Sequence, residues 1–126
     1  MIVCMLGLHL TADLSGCAAA QPPMTDAAAL RTLCLDAVAA AGLQAVGELF
    51  HPFPAPGGVT GMVLLAESHL AVHTWPELGA VTLDVYVCNY SADNSARAQQ
   101  LLGTLEALFT PASVQRHSLQ RGTLSS

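Results

Sequence analysis

Three β-rich segments follow one another closely in the middle of the chain, and this spacing constrains the fold more than any other feature. Val59 to Ala66 and His69 to Trp75 are interrupted only at Glu67-Ser68, and Ala80 to Val87 alternates apolar and polar side chains. Strands connected this closely favour an antiparallel sheet. The centre of the chain therefore predicts antiparallel strands joined by tight turns.

The first third of the chain predicts a strand, a helix and a second strand. The apolar start from Met1 runs into an alternation that ends at Leu14 and indicates a strand. Thr25 or Asp26 can cap a helix through Ala41, which Gly42 stops. A strand from Leu43 to Phe50 then leads into a loop rich in proline and glycine, from His51 to Gly58.

The last third predicts a second helix and a final strand. Asp93 or Asn94 can cap a helix from Ser95 to Phe109, with Leu101, Leu105 and Leu108 along its buried stripe. A strand near Ser113 to Leu119 follows Pro111, and the tail from Gly122 is expected to be loose. The order of elements predicts an α+β fold, a two-layer α/β sandwich in which helices cover one face of a mainly antiparallel sheet.

Size and composition predict one domain that associates with a second copy. The chain has 126 residues, of which 52% are hydrophobic and only 10% charged, a low charge for the surface of a monomer. The uncovered sheet face needs a partner, so a homodimer that stacks into four layers, or a higher homo-oligomer, is expected. The net charge of -5 with four scattered arginines leaves no basic stripe, which argues against nucleic acid as a partner.

The chain predicts a cytoplasmic protein without a metal. The start lacks the basic region of a signal peptide, and no apolar run reaches the ~20 residues that cross a bilayer. The four cysteines show no C-x-x-C pair, so neither disulfides nor zinc are expected. In an extended strand His69 and His73 lie on one face ~13 Å apart, too far to share one ion. Satisfied structural histidines are the plainer alternative.

The absence of lysine excludes one class of amine chemistry. All four basic residues are arginine. A pyridoxal phosphate enzyme needs a lysine to hold its cofactor, so amine chemistry here requires another electrophilic carbonyl. Ser68, flanked by an acid and followed by two histidines, is a candidate source of that carbonyl.

The chain resembles a known family over nearly its whole length. The central run is Glu67-Ser68-His69-Leu70-Ala71-Val72-His73-Thr74-Trp75-Pro76-Glu77. It resembles the cleavage-site signature of the small bacterial and archaeal S-adenosylmethionine decarboxylase proenzymes. Flanking features resemble the family in the same order: Gly7-Leu8-His9-Leu10, Gly16-Cys17, Phe50-His51, Phe53, Val59-Thr60-Gly61, Asp84 before Cys88, and Arg121-Gly122.

This resemblance implies that the chain cuts itself between Glu67 and Ser68. In the family the serine hydroxyl attacks the preceding carbonyl, and elimination then leaves a pyruvoyl group on the second fragment. The fragments here would be residues 1–67 and 68–126. Thr60 matches the position that stabilises the tetrahedral adduct, and His73 matches the base that removes the Cα proton. Many relatives have serine in place of Thr60.

The resemblance also implies the cofactor and the substrate contacts. The pyruvoyl group made from Ser68 withdraws electrons as carbon dioxide leaves, and Cys88 matches the proton donor. Phe53 matches an aromatic residue that stacks on adenine, and Glu77 matches a carboxylate that holds the ribose. In related enzymes the site lies between two subunits. The resemblance therefore implies that Ser68 and Cys88 of one chain face four residues of a second chain: Phe53, Thr60, His73 and Glu77.

Departures from the family pattern leave two alternatives to S-adenosylmethionine decarboxylation for spermidine synthesis. Leu8 replaces a common arginine, Leu78 replaces a common aromatic residue, and the loop from Phe53 to Thr60 is one residue longer. A pyruvoyl-dependent arginine or ornithine decarboxylase is the first alternative. An uncleaved homologue that regulates an active subunit is the second.

Overall fold

Six antiparallel strands form one sheet in the computed structural model, which describes residues 3–89 and 92–125. The strand order across the sheet is β2-β3-β4-β5-β1-β6. The strands are β1 (Val3–Ser15), β2 (Ala45–Pro52), β3 (Val59–Leu65), β4 (Ser68–Trp75), β5 (Ala80–Cys88) and β6 (Ser113–Ser125). Helices α1 (Ala27–Ala40) and α2 (Ser95–Leu108) and two short 3₁₀ turns, Pro22–Met24 and Pro76–Leu78, complete the described chain.

Both helices lie on the same face of the sheet. Alternate residues of the central strands point into one core, which includes Leu10, Val72 and Leu83. Leu30 of α1 and Leu105 of α2 are fully buried in that same core. One shared core places both helices against one sheet face, so the predicted α+β architecture with an antiparallel sheet and a single helical layer is confirmed.

Local signals set the ends of the helices. The Asp26 carboxylate accepts hydrogen bonds from the backbone N–H groups of Ala28 and Ala29 at the start of α1, at 2.9 and 3.3 Å. Past its end Gly42 has a φ of 77°, a conformation that glycine adopts without steric cost. At α2 the Asp93 carboxylate accepts from the Ser95 N–H at 2.9 Å, which lowers the pKa of Asp93.

The ends of two strands and the buried side of one helix differ from the predictions. Strand β2 runs through His51 and Pro52, because this edge strand pairs there with β3. Strand β6 continues to Ser125 and the predicted loose tail from Gly122 is wrong, since β1 extends far enough to pair with it. In α2, Leu108 is 47% exposed although it was expected in the buried stripe, and Leu102 is buried instead. The predicted strand start at Met1 lies outside the described residues.

The second face of the sheet, here called the open face, has no helix against it in the described part of the chain. It combines half-buried polar residues with exposed apolar ones. Leu49, Met62 and Leu64 are 74%, 41% and 49% exposed, and Leu119 on β6 is 58% exposed. An apolar patch of this kind marks an interaction surface in many proteins.

Neither described helix combines the length and the apolar character that crossing a lipid bilayer requires.

Candidate functional site

A strained residue precedes Ser68. Strands β3 and β4 form a hairpin in which Leu65 pairs with Ser68, so Ala66 and Glu67 make a two-residue turn. Glu67 has a φ of 54°. This left-handed conformation costs a residue with a Cβ atom ~1–2 kcal/mol. Strain is thus stored at the residue whose carbonyl is bonded to the Ser68 nitrogen.

Ser68 and Cys88 meet in a cleft at one end of the sheet, here called the Ser68 cleft. The backbone N–H of Cys88 donates to Ser68 Oγ at 3.2 Å. Cys88 ends β5 and is buried, and the Asn94 side-chain amide donates to its carbonyl oxygen at 2.9 Å. The cleft has a volume of about 580 Å³ and is also lined by Gln44 and Glu67. Asn94 therefore fixes the backbone on which the thiol sits.

A second cleft, here called the His73 cleft, lies where β4 ends. Its volume is about 340 Å³, and its lining includes Phe53, Thr60, His73, Trp75 and Glu77. The Thr60 hydroxyl and His73 Nδ1 are hydrogen-bonded at 3.1 Å across neighbouring strands. The His73 ring stacks on the Trp75 ring with centroids 5.7 Å apart. The imidazole is therefore held on two sides.

Buried contacts of Thr74 position the loop that presents Phe53. The Thr74 hydroxyl donates to the carbonyl oxygen of Met24 at 2.8 Å and accepts from the N–H of Val59 at 2.8 Å. The loop approaches so closely that a Cβ atom on Gly58 would lie 1.9 Å from the Thr74 carbonyl oxygen. Phe53, whose N–H donates to the Gly58 carbonyl at 2.9 Å, stays 50% exposed at the mouth of the cleft.

The seven predicted site residues thus form two separate groups within one chain. Glu67, Ser68 and Cys88 belong to the Ser68 cleft. The other group, Phe53, Thr60, His73 and Glu77, belongs to the His73 cleft. Ser68 and His73 are five positions apart on one strand, which corresponds to ~16 Å by strand rise. Direct contact between them within one chain is excluded by that separation.

Of the three departures from the family pattern, the longer loop from Phe53 to Thr60 lines the His73 cleft, whereas Leu8 and Leu78 lie outside both clefts or at their margin. Leu8 is half-buried and packs against the core, so it lines neither of the two clefts in the described chain. Leu78 is 71% exposed and follows Glu77 in the 3₁₀ turn beside the His73 cleft. Of these two residues, Leu78 has the closer relation to a site.

A polar group on the open face was not predicted. His9 on β1 and His69 on β4 both flank Tyr86 of β5 in the strand register, and Asp84 lies two residues before Tyr86. His9 Nε2 lies 2.6 Å from Asp84 Oδ1, and His69 Nε2 lies 3.3 Å from the same oxygen. We call His9, His69, Asp84, Tyr86 and Arg121 the central cluster.

The central cluster brings together three groups that ligate metals in other proteins. The ligand atoms of His9, His69 and Asp84 lie within 4.8 Å of one another. However, Arg121 Nη1 lies 3.2 Å from His9 Nδ1, and a guanidinium only donates hydrogen bonds. His9 Nδ1 must then accept, so Nε2 carries the proton and donates to Asp84. A metal-ligating histidine normally donates its second N–H to an acceptor, so this arrangement does not suit an ion.

Sequence reasoning missed Asn94 as a support for Cys88 and missed the central cluster. Asn94 was predicted only as a helix cap, and its contact with the Cys88 carbonyl depends on the path of the chain between them. Strand alternation places His9 and Asp84 on polar faces, which is the one signal available. Their pairing across 75 positions requires the strand order, which alternation does not give.

Comparison with known proteins gives a consistent result. A sequence model described as S-adenosylmethionine decarboxylase matches residues 8–122. The S-adenosylmethionine decarboxylase proenzyme of Aquifex aeolicus is 36% identical over 117 residues, which are 93% of this chain and 82% of that protein. The proenzyme of Archaeoglobus fulgidus is 33% identical over 118 residues, 94% of this chain and 99% of that protein.

A solved structure agrees with these sequence relatives. The crystal structure of the adenosylmethionine decarboxylase from Aquifex aeolicus superposes with a TM-score of 0.83 at 35% sequence identity. The match covers 94% of this chain and 92% of that chain. The similarity therefore extends over nearly the whole chain.

Proposed function

The chain belongs to the S-adenosylmethionine decarboxylase family, and we propose that it is a self-processed, pyruvoyl-dependent S-adenosylmethionine decarboxylase that supplies the aminopropyl donor for spermidine synthesis. One observation carries this proposal. Ser68 follows the strained Glu67 and lies beside Cys88 in the same cleft. A nucleophile, a strained backbone and a thiol are the parts that the family chemistry requires.

The proposed self-cleavage converts Ser68 in balanced steps. Ser68 Oγ attacks the Glu67 carbonyl carbon, and the C–N bond breaks to give an ester. Removal of the Ser68 Cα proton then expels the carboxylate, so Oγ stays with Glu67 as the new chain end at residue 67. The remaining dehydroalanine takes up water and releases ammonia, which leaves a pyruvoyl group at residue 68. Strain at Glu67 favours the first step because the cut releases it.

Residues of this chain are available for decarboxylation, protonation and substrate binding. When formed, the pyruvoyl group supplies the carbonyl that accepts electrons from the substrate as carbon dioxide leaves. The Cys88 thiol, fixed by Asn94, lies in the same cleft and donates the proton that replaces the carboxylate. Phe53 offers an exposed ring for the adenine, and Glu77 offers a carboxylate to the ribose hydroxyls.

We further propose that each active site is built from two chains. Ser68 and His73 cannot meet within one chain, so the His73 cleft of a second copy must supply Thr60 and His73. The open face offers the surface for that partner, with Leu49, Met62 and Leu64 exposed on one side. Two copies stacked through their open faces form the four-layer homodimer.

Complementation tests the shared site. The variants Cys88→Ala and Glu77→Gln each remove one residue, from the Ser68 cleft and the His73 cleft respectively. Each variant alone is expected to be cleaved and nearly inactive. Mixed after unfolding and refolding, they should regain about a quarter of wild-type activity, because half of the dimers are mixed and each has one intact site. No recovery, with mixed dimers demonstrated by native mass spectrometry, would contradict a shared site.

A substrate panel tests the reaction itself. Purified and cleaved protein is incubated with S-adenosylmethionine, arginine or ornithine, each labelled in its carboxyl carbon, and released carbon dioxide is counted. Turnover of S-adenosylmethionine alone is expected. Preference for arginine or ornithine would overturn the substrate assignment while leaving the pyruvoyl chemistry in place. A fully cleaved protein that turns over none of the three would contradict the proposal, and a chain that stays uncut would favour a regulatory homologue.

A further inference from the structure

We propose that the central cluster is a positioning device that holds His69, and with it the pyruvoyl group, after the chain has been cut. The proposal rests on the proposed function, since it requires cleavage before residue 68. His69 is the residue directly behind Ser68, and its amide is the one conjugated to the new carbonyl. Its side chain contacts three other members of the cluster, Asp84, Tyr86 and His9.

Cleavage removes two of the connections that hold the first residue of β4 before the cut. The first is the covalent bond to the turn at Glu67. The second is the hydrogen bond from the Cys88 N–H to Ser68 Oγ, because that oxygen leaves with Glu67. Residue 68 then becomes a chain end at the edge of a cleft, and chain ends fray unless other contacts hold them.

The contacts of the central cluster are not affected by the cut. The His69 ring stacks on Tyr86 with centroids 5.8 Å apart and planes 28° apart, and His69 Nε2 lies 3.3 Å from Asp84 Oδ1. Asp84 in turn accepts a hydrogen bond from His9 at 2.6 Å. These partners lie on β1 and β5, which remain continuous through cleavage. The cluster therefore connects the new chain end to the centre of the sheet.

The outer members of the cluster keep its inner members in place. Arg121 of β6 donates to His9 Nδ1 at 3.2 Å, which fixes the tautomer that donates to Asp84. Arg121 also lies over the Tyr86 ring, 6.0 Å from its centroid. A Cβ atom on Gly7 would come within 2.5 Å of the Tyr86 hydroxyl oxygen, so the glycine provides the space for that ring. The strands β5, β1 and β6, which follow β4 in that order across the sheet, thus all support the contact with His69.

This arrangement predicts an effect on turnover and not on substrate affinity. The cluster lines neither the Ser68 cleft nor the His73 cleft in the described chain, so its predicted effect is on the position of residue 68. A displaced carbonyl reacts slowly even when substrate binds normally, and a misplacement of ~1 Å can cost ~100-fold in rate. Because Asp84→Ala would displace the carbonyl by up to about this distance, it should lower kcat roughly ten- to a hundredfold and change KM little.

Three variants distinguish this role from a general structural one. Asp84→Ala removes the carboxylate that lies against both histidines, and Asp84→Asn keeps an oxygen at Oδ1. Asp36→Ala is the control, because Asp36 is an exposed acid of α1, on the helical side of the sheet and away from the open face. We expect Asp84→Asn to recover most of the turnover and Asp36→Ala to equal wild type.

Hydrogen exchange in cut and uncut protein gives the deciding measurement. Intact mass first establishes that each variant is cleaved, and an uncut wild type would count against the proposed function itself. In cleaved protein, Asp84→Ala should accelerate amide exchange over residues 69–72 about tenfold or more. In the uncut Ser68→Ala background the same substitution should change that exchange little. Equal acceleration in both backgrounds, or unchanged exchange and kcat in cleaved protein, would overturn the positioning role.

Discussion

Replacing Glu67 with glycine is expected to slow self-cleavage about tenfold, because it removes strain that the cut would release. The φ of 54° costs a residue with a Cβ atom ~1–2 kcal/mol, and glycine adopts it at no steric cost. If the whole strain contributes to the barrier, ~1–2 kcal/mol corresponds to roughly five- to thirtyfold in rate. Glycine's larger entropy in the unfolded chain does not enter, since cleavage starts from folded protein.

The assay compares variants that separate the Cβ atom from the carboxylate. Cell-free synthesis with a short labelling pulse, followed by gel separation of cut and uncut chain, gives the cleavage rate. Glu67→Ala removes the carboxylate and keeps the Cβ atom, so it should cleave at nearly the wild-type rate. Thr110→Gly relieves a similar positive φ of 45° beyond the end of α2, away from the cleft. It should leave the cleavage rate unchanged.

The comparison between the glycine and alanine variants decides the matter. If Glu67→Gly cleaves as fast as Glu67→Ala, strain at this residue does not drive the reaction. If both variants are equally slow, the carboxylate matters and the backbone conformation does not. Either result would refute the role assigned to the positive φ.

Three further predictions follow from single residues. Cys88→Ala should be cleaved normally but lose most turnover, and steady-state kinetics at the wild-type rate would contradict the proton-donor role. Thr60→Val should slow cleavage by ~100-fold or more while Thr60→Ser retains it, because only the hydroxyl is needed; a pulse-chase assay that found the two variants equal would refute this. Burial raises the pKa of Cys34 from 9.0 to about 12. Its neutral thiol therefore contributes stability that is complete below pH 9 and lost as the pH rises toward about 12. In urea unfolding of the uncut Ser68→Ala chain, adding Cys34→Ala should make the free energy of unfolding decline less steeply over this pH range. An identical decline with and without Cys34→Ala would contradict this role of the Cys34 thiol.

Much of the fold was predictable because its signals are local. The Asp26 cap, the stop at Gly42 and the alternation along β5 each depend on neighbouring residues, and each predicted element is present. The two β4 histidines alternate with buried residues, as an extended strand requires. Errors arose where pairing with a distant strand sets the end of an element. Strand β6, for example, extends to Ser125 because that residue pairs with Val3 of β1.

The site was predictable only as far as one motif and one resemblance reach. The run around Ser68 predicted the cleavage residue, and the resemblance predicted roles for Thr60 and Cys88; these stay predictions. Neither indicated that Asn94 holds the Cys88 backbone or that Asp84 lies between His9 and His69. Such contacts depend on strand order and register, which a single sequence does not contain.

The most direct test of the account is the intact mass of purified protein before and after borohydride reduction. We expect two fragments that correspond to residues 1–67 and 68–126, with the second lacking a free amine and gaining mass on reduction of its carbonyl. Full-length chain alone after prolonged incubation, or a second fragment that borohydride leaves unchanged, would contradict the conversion of Ser68 into the reactive carbonyl.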